Sequence, residues 1–159
     1  MAAPIDLHEV MEREREERFR TRWRVKACAS TACMSAGAGA AISALEDEAA
    51  TDDMVLEVQV IPTGCMGLCS AGPLLRMMRR GGDETDYQKV TPEAAVEILH
   101  SHVRDEEPVP EYQLDREIPF FTSQERVVLA NGGVINPDRI ESYVAHGGYQ
   151  ALEKALTTM

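Results

Sequence analysis

A chain of 159 residues has room for one full domain, or for a compact domain with an extension, and its 44% apolar content suffices for a core although aromatics make up only 5%. Its 16 Lys and Arg against 27 Asp and Glu leave a net charge of −11, which argues against sequence-independent binding to nucleic acid, since that requires a cationic face. No run approaches the ~20 consecutive apolar residues of a membrane span and the N-terminus shows no apolar signal segment, so a cytoplasmic location without a membrane span is expected.

In chain order, residues 1–21 form a charged arm, and 5–24 is predicted helical. Asp6 and Glu9 have the offset of a capping box, and acids interleave with arginines at i,i+4 spacing. Apolar residues are too few there for a deep core face, so the arm is expected to be solvated or partly disordered unless a partner covers it. A short strand is predicted near 22–27, with Trp23 and Val25 on one face. A helix over 35–48 follows, striped by Ala38, Ala41, Ile42, Leu45 and Ala49 at helical spacing. Residues 55–61 alternate, Leu56, Val58 and Val60 against Glu57 and Gln59, as in a half-buried strand that Pro62 ends. Two further strands are predicted at 74–79 and 85–90, joined by a Gly81-Gly82-Asp83 turn. Thr91 caps the next helix with Pro92 at its first position, and Val96, Leu99 and Val103 give its apolar stripe.

The order over 22–104 is β-α-β-β-β-α, an α/β sandwich of thioredoxin-like type, with a short helical C-terminal extension after it. Residues 105–118 are acidic and proline-bearing, as suits a linker. In 119–159, Phe120 and Phe121 lead into an extended stretch at 126–130 and a turn at Asn131-Gly132-Gly133. Asn136-Pro137 is expected to cap a helix with Ile140, Tyr143 and Val144 inward, and a last helix over 149–156 to bury Leu152 and Leu156. Forty residues with two short helices make a weak core by themselves, so this tail is expected to dock on something outside the chain.

All four cysteines fall into two close pairs, Cys28-x4-Cys33 and Cys65-x3-Cys69, in the loops after the first and second strands. In a reducing compartment such pairs are metal ligands before they are disulfides. No C-x-x-C is present, which disfavours a dithiol oxidoreductase. Four thiolates suit a [2Fe–2S] cluster, each iron taking one pair, and they also suit a structural zinc, whose paired cysteines tolerate this spacing. Spacing leaves both open. The glycine setting favours iron–sulfur: an anionic cluster asks for backbone N–H donors, and Gly64, Gly67 and Gly72 let the chain approach closely, while Ser30 and Thr31 could add hydroxyl donors.

Other signals are weaker. Gly37-Ala38-Gly39 mimics part of a dinucleotide fingerprint, but its third glycine position holds Ile42. His8, His100, His102 and His146 are scattered and are expected at the surface or at helix ends. Met34, Met66, Met77 and Met78 are expected to pack rather than to ligate. No carboxylate pair stands out for acid–base work.

The loop Gly64-Cys65-Met66-Gly67-Leu68-Cys69-Ser70-Ala71-Gly72-Pro73, following C-x4-C, resembles the thioredoxin-like [2Fe–2S] domain of the small iron–sulfur subunit of respiratory complex I. The tail is similar to the opening of the NADH- and FMN-binding flavoprotein subunit: Phe120-Phe121-Thr122-Ser123-Gln124-Glu125-Arg126-Val127-Val128-Leu129-Ala130-Asn131, then Ile135-Asn136-Pro137, Ile140-Glu141-Ser142-Tyr143 and Gly147-Gly148-Tyr149-Gln150-Ala151-Leu152. Such fusions occur in the diaphorase subunits of NAD-reducing bidirectional [NiFe] hydrogenases, and related ones in electron-bifurcating hydrogenases and NAD-dependent formate dehydrogenases. The stretch Tyr87-Gln88-Lys89-Val90-Thr91-Pro92-Glu93 and the ending Tyr149–Leu156 look closest to the first of these.

The resemblance implies a [2Fe–2S] electron-transfer module, with Cys28 and Cys33 on one iron and Cys65 and Cys69 on the other. It implies other subunits of a hydrogenase or dehydrogenase as partners, with a homodimer as an option for the isolated domain. In the family the FMN and NAD segment and the cysteines of a [4Fe–4S] cluster lie beyond the equivalent of Leu156, so this stretch is not expected to oxidise NADH alone. The competing expectation is a docking module stabilised by zinc or free thiols, without redox activity.

Overall fold

A computed structural model describes residues 6–158. Strand β1 (Trp23–Cys28) lies inside the sheet, and its alternation splits two environments. Trp23, Val25 and Ala27 enter the main core; Arg24 and Lys26 face the opposite side. β1 pairs in parallel with β2 (Val58–Thr63) and antiparallel with β3 (Leu75–Arg79), which pairs antiparallel with β4 (Glu84–Tyr87), giving the order β2-β1-β3-β4. A parallel pair needs a crossover, and the chain supplies it as helices α2 (Thr31–Ser35) and α3 (Ala38–Ala49). α3 and α4 (Pro92–His100) pack together on one face of the sheet, where Ile42 and Leu45 meet Ile98 and Leu99. Thr91 caps α4 as expected, its hydroxyl accepting from the Ala94 N–H at 3.2 Å.

Several boundaries differ from the sequence reading. The single helix expected from residue 35 is broken at Gly37, whose φ of +100° only glycine adopts freely, so the first cysteine loop keeps its own short helix. β2 begins at Val58, not 55, because its partner begins at Trp23 and the register pairs Trp23 with Val58. The preceding turn buries Met54 instead, leaving Val55 and Leu56 exposed, the latter by 83%. Pro62 does not end the strand. β2 is an edge strand, where a residue without an N–H is tolerated, and pairing runs on to Thr63.

Residues 105–118 do not hang free. After α4 the chain makes a π-type turn (Ser101–Asp105), and 110–114 then runs back along β4. Gln88 N–H donates to the Tyr112 carbonyl at 2.8 Å and Leu114 N–H to the Asp86 carbonyl at 2.7 Å, covering an edge that would otherwise be open.

Helix α1 (Leu7–Arg18) starts at Asp6, whose carboxylate accepts from the N–H groups of His8 at 2.8 Å and Glu9 at 3.4 Å. Residues 1–5 of the expected arm and Met159 lie outside the described residues. The arm is not solvated on all sides. The tail carries α5 (Pro119–Thr122), α6 (Ile140–Ala145) and α7 (Gln150–Thr158), and α6 lies on α1. Arg139 reaches Glu14 at 3.2 Å and Glu17 at 3.4 Å, and Arg18 meets the His146 ring at 3.0 Å. The tail thus docks within the chain, on α1 and on the second cysteine loop. Its local structure departs from expectation: 126–130 is irregular, and Val144 turns inward while Ile140 and Tyr143 do not. Leu152 and Leu156 are exposed, since among the described residues nothing covers the apolar side of α7. No helix among the described residues is long and apolar enough to cross a membrane.

Candidate metal centre

The sheet delivers the first cysteine pair. Cys28 is the last residue of β1, its N–H held by the Leu74 carbonyl at 3.0 Å, and Cys33 follows one helical turn into α2. Both are buried, Cys33 to 0% exposure. They sit in a small apolar cluster separate from the main core, with Ala38, Met66, Ala71, Leu74 and Leu114, against which Phe121 packs. The second pair lies in the loop after β2. Cys65 is partly buried and Cys69, which opens a 3₁₀ turn (Cys69–Ala71), is exposed.

The Sγ atoms of Cys65 and Cys69 are 3.7 Å apart. That is far beyond the ~2.05 Å of a disulfide. It matches two thiolates on one tetrahedral metal, where bonds of about 2.3 Å place neighbouring sulfurs about 3.8 Å apart. All four cysteines are free thiols. The thiols stand as two pairs, Cys28 beside Cys33 and Cys65 beside Cys69.

Backbone donors reach the inner sulfurs, from Met66, Ser30 and Leu74 and not from the glycines. Burial raises the Cys28 thiol, but the Ser30 hydroxyl, 3.2 Å from its sulfur, and the N–H groups of Met66 and Ser30 outweigh it and bring the pKa below the ordinary value. The Met66 contact joins the two cysteine loops. Burial first, then the bond to Cys28, pushes Cys33 up to about 11, while the Leu74 N–H works in the other direction. Cys69 is raised by its bond to Cys65. One sulfur of each such pair holds its proton until a metal replaces it, so loading the site releases protons.

Close approach is built in. A Cβ on Gly72 would lie 2.9 Å from Cys33 Sγ, so only glycine lets the second loop press on the first pair. On the sheet face that leads to Cys28, buried Lys26 has its pKa brought down to about 8 by burial and then by Arg24 and Arg76. The residues present therefore fit an anionic cluster: paired thiols and inward N–H donors.

Residues 15–102 match the profile of the thioredoxin-like [2Fe-2S] ferredoxin, a span that includes both cysteine pairs. The chain belongs to the thioredoxin-like [2Fe-2S] ferredoxin family. A 2Fe-2S ferredoxin of Clostridium pasteurianum is 32% identical to this chain over 82 residues, 52% of this chain and 78% of that one. The wild-type thioredoxin-like [2Fe-2S] ferredoxin from Aquifex aeolicus superimposes with a TM-score of 0.54 at 25% identity, over 60% of this chain and 98% of its own length. Another structure of a thioredoxin-like [2Fe-2S] ferredoxin from the same organism gives 0.53 at 23% identity, over 60% and 92% respectively. The thioredoxin-like fold is as expected, and this is a ferredoxin-type electron-transfer domain with a [2Fe–2S] cluster.

Sequence reasoning missed what lies outside that span. Leu114 and Phe121 wall the inner pair, and Arg126 and Gly133 press on the loop of the outer pair. Gly67, with φ of +113°, was a visible signal of a tight loop; nothing in the sequence said what would approach it. His102, expected at a surface or helix end, is instead buried on Tyr87, since the π-type turn rotates it inward.

Proposed function

We propose that the ferredoxin domain relays single electrons between a flavin- and NAD(H)-binding site and further iron–sulfur centres of a cytoplasmic hydrogenase- or dehydrogenase-type complex. Cys28 and Cys33 hold one iron and Cys65 and Cys69 the other, so these four are its metal ligands. A [2Fe–2S] unit with four thiolate ligands supplies one-electron chemistry at low potential. The chain's own contribution is positional. Ser30 and the Met66 and Leu74 N–H groups satisfy the inner sulfurs away from water, while exposed Cys69 gives a partner a short path in.

The observation that supports the NAD(H)-linked context is where the tail sits. The segment resembling the opening of a flavoprotein subunit is seated on the loop of the outer pair, with the Arg126 guanidinium donating to the Met66 carbonyl at 2.5 Å. The proposed flavin side of the electron path therefore meets the ferredoxin domain at the loop of its outer cysteine pair.

Protein purified without oxygen should carry about two irons and two acid-labile sulfides per chain and give a rhombic EPR signal after dithionite reduction. Cys65→Ser should bleach it or change its spectrum sharply. Mixing with an FMN-loaded flavoprotein subunit of an NAD-linked hydrogenase should let NADH reduce the centre, and omitting that subunit should leave it oxidised. One zinc and no sulfide would defeat the ligand assignment. A loaded centre that NADH and flavoprotein leave oxidised would defeat the NAD(H) context alone.

A further inference from the structure

Behind Met66 lies a cavity of about 220 Å³ lined by Arg76, Arg116 and Arg126. The first two are neutralised. Arg76 pairs with Asp86 at 2.5 Å and Glu84 at 3.3 Å, and Arg116 with Asp86 at 3.3 Å and Glu84 at 3.5 Å. Arg126 has no carboxylate partner among the described residues and spends its donors on carbonyls, Met66 at 2.5 Å and Gly132 at 3.4 Å. It also crowds Gly67: a Cβ there would fall within the guanidinium, so the cation rests against the loop between Cys65 and Cys69. Gly132 and Gly133 hold the tail at this distance, since a Cβ on Gly133 would come within 2.9 Å of the Met66 Cα.

We propose that Arg126 is a positioning residue of the iron–sulfur centre, whose uncompensated charge, carried by the tail and pressed onto the outer cysteine loop, raises the potential of the cluster. The inference rests on the reading that Cys65 and Cys69 ligate the outer iron. Reduction adds one electron and no proton to an already anionic unit, and a fixed positive charge in a partly desolvated contact favours the more negative state. Arg126 lies beyond residues 15–102, so the tail gives this domain a control that the ferredoxin span does not contain.

The test is an equilibrium redox titration of the full chain, poised with dithionite and followed by EPR. Arg126→Gln keeps a donor for the Met66 carbonyl and removes the charge. At a fixed ambient potential it should lower the reduced-to-oxidised ratio by about three- to tenfold, tenfold being 59 mV for one electron. Arg126→Lys keeps the charge and should stay near the wild type. Asn131→Asp, an isosteric change in the wall that Asn131 shares with Cys65 and Arg126, should shift the ratio in the same direction as R126Q, and it decides the matter if R126Q fails to load. An unchanged ratio in R126Q or, failing that variant, in N131D overturns the proposal, as does R126K falling as far as R126Q. A wild type without iron and sulfide would instead defeat the ligand reading.

Discussion

His102 lies against the edge of the Trp23 ring, and its Nε2 is 2.5 Å from the Tyr87 hydroxyl, which itself accepts the Val109 N–H at 3.1 Å. In the tautomer that carries its proton on Nδ1, the imidazole accepts the hydroxyl proton at Nε2. Burial holds the His102 pKa down at about 4, against 6.5 for a free imidazole. Between these values the unfolded chain binds the extra proton, so the stabilisation is complete above pH 6.5 and drains away as pH falls through 4, by about 3 kcal/mol in all. Urea midpoints taken from pH 7 to pH 4 should therefore fall more steeply for the wild type than for His102→Gln. Parallel slopes would show that the imidazole does not sense folding. The sequence hid this residue because its helical register predicts a different direction from the one a π-type turn produces. The cysteines were legible for the opposite reason: their chemistry needs a fixed chain spacing, and spacing is what a sequence displays.

At the scale of elements, the stretch 110–114 behaves as a cover. It joins the β4 edge and places Leu114 beside Cys28 and Cys33, so a segment with the composition of a linker serves as one wall of the inner site. Leu114→Ala should cost about 2–3 kcal/mol of unfolding free energy in the loaded protein, read from the denaturant midpoint. A loss below about 0.5 kcal/mol would mean the segment does not pack there in solution. The strands and the two core helices could be read from alternation and from the Thr91-Pro92 start, because those patterns answer to local burial. The break at Gly37, the late start of β2 and the fate of residues 105–118 could not. Each is decided by a partner remote in sequence: the register on Trp23, or the open edge of β4.

For the whole molecule, stability is distributed unevenly. The sheet with α3 and α4 surrounds one core, the cysteines have a lesser one, and the tail adds charged contacts between α1 and α6. Amide exchange should rank these in that order: β1 slowest by orders of magnitude, α6 intermediate, and α7 close to unprotected. Equal protection of α7 and β1 would contradict the arrangement. The tail's helices were anticipated, but not the surfaces they would choose, because apolar residues in a segment too small to fold alone do not name their cover. α7 keeps Leu152 and Leu156 in water.

The two thiol pairs also differ in depth, the inner one sealed and the outer one opening at Cys69. Wear follows that gradient. Oxidants and chelators must begin at the rim, so the first damaged form would keep Cys28 and Cys33 reduced and sheltered, leaving half of the nest intact for rebuilding.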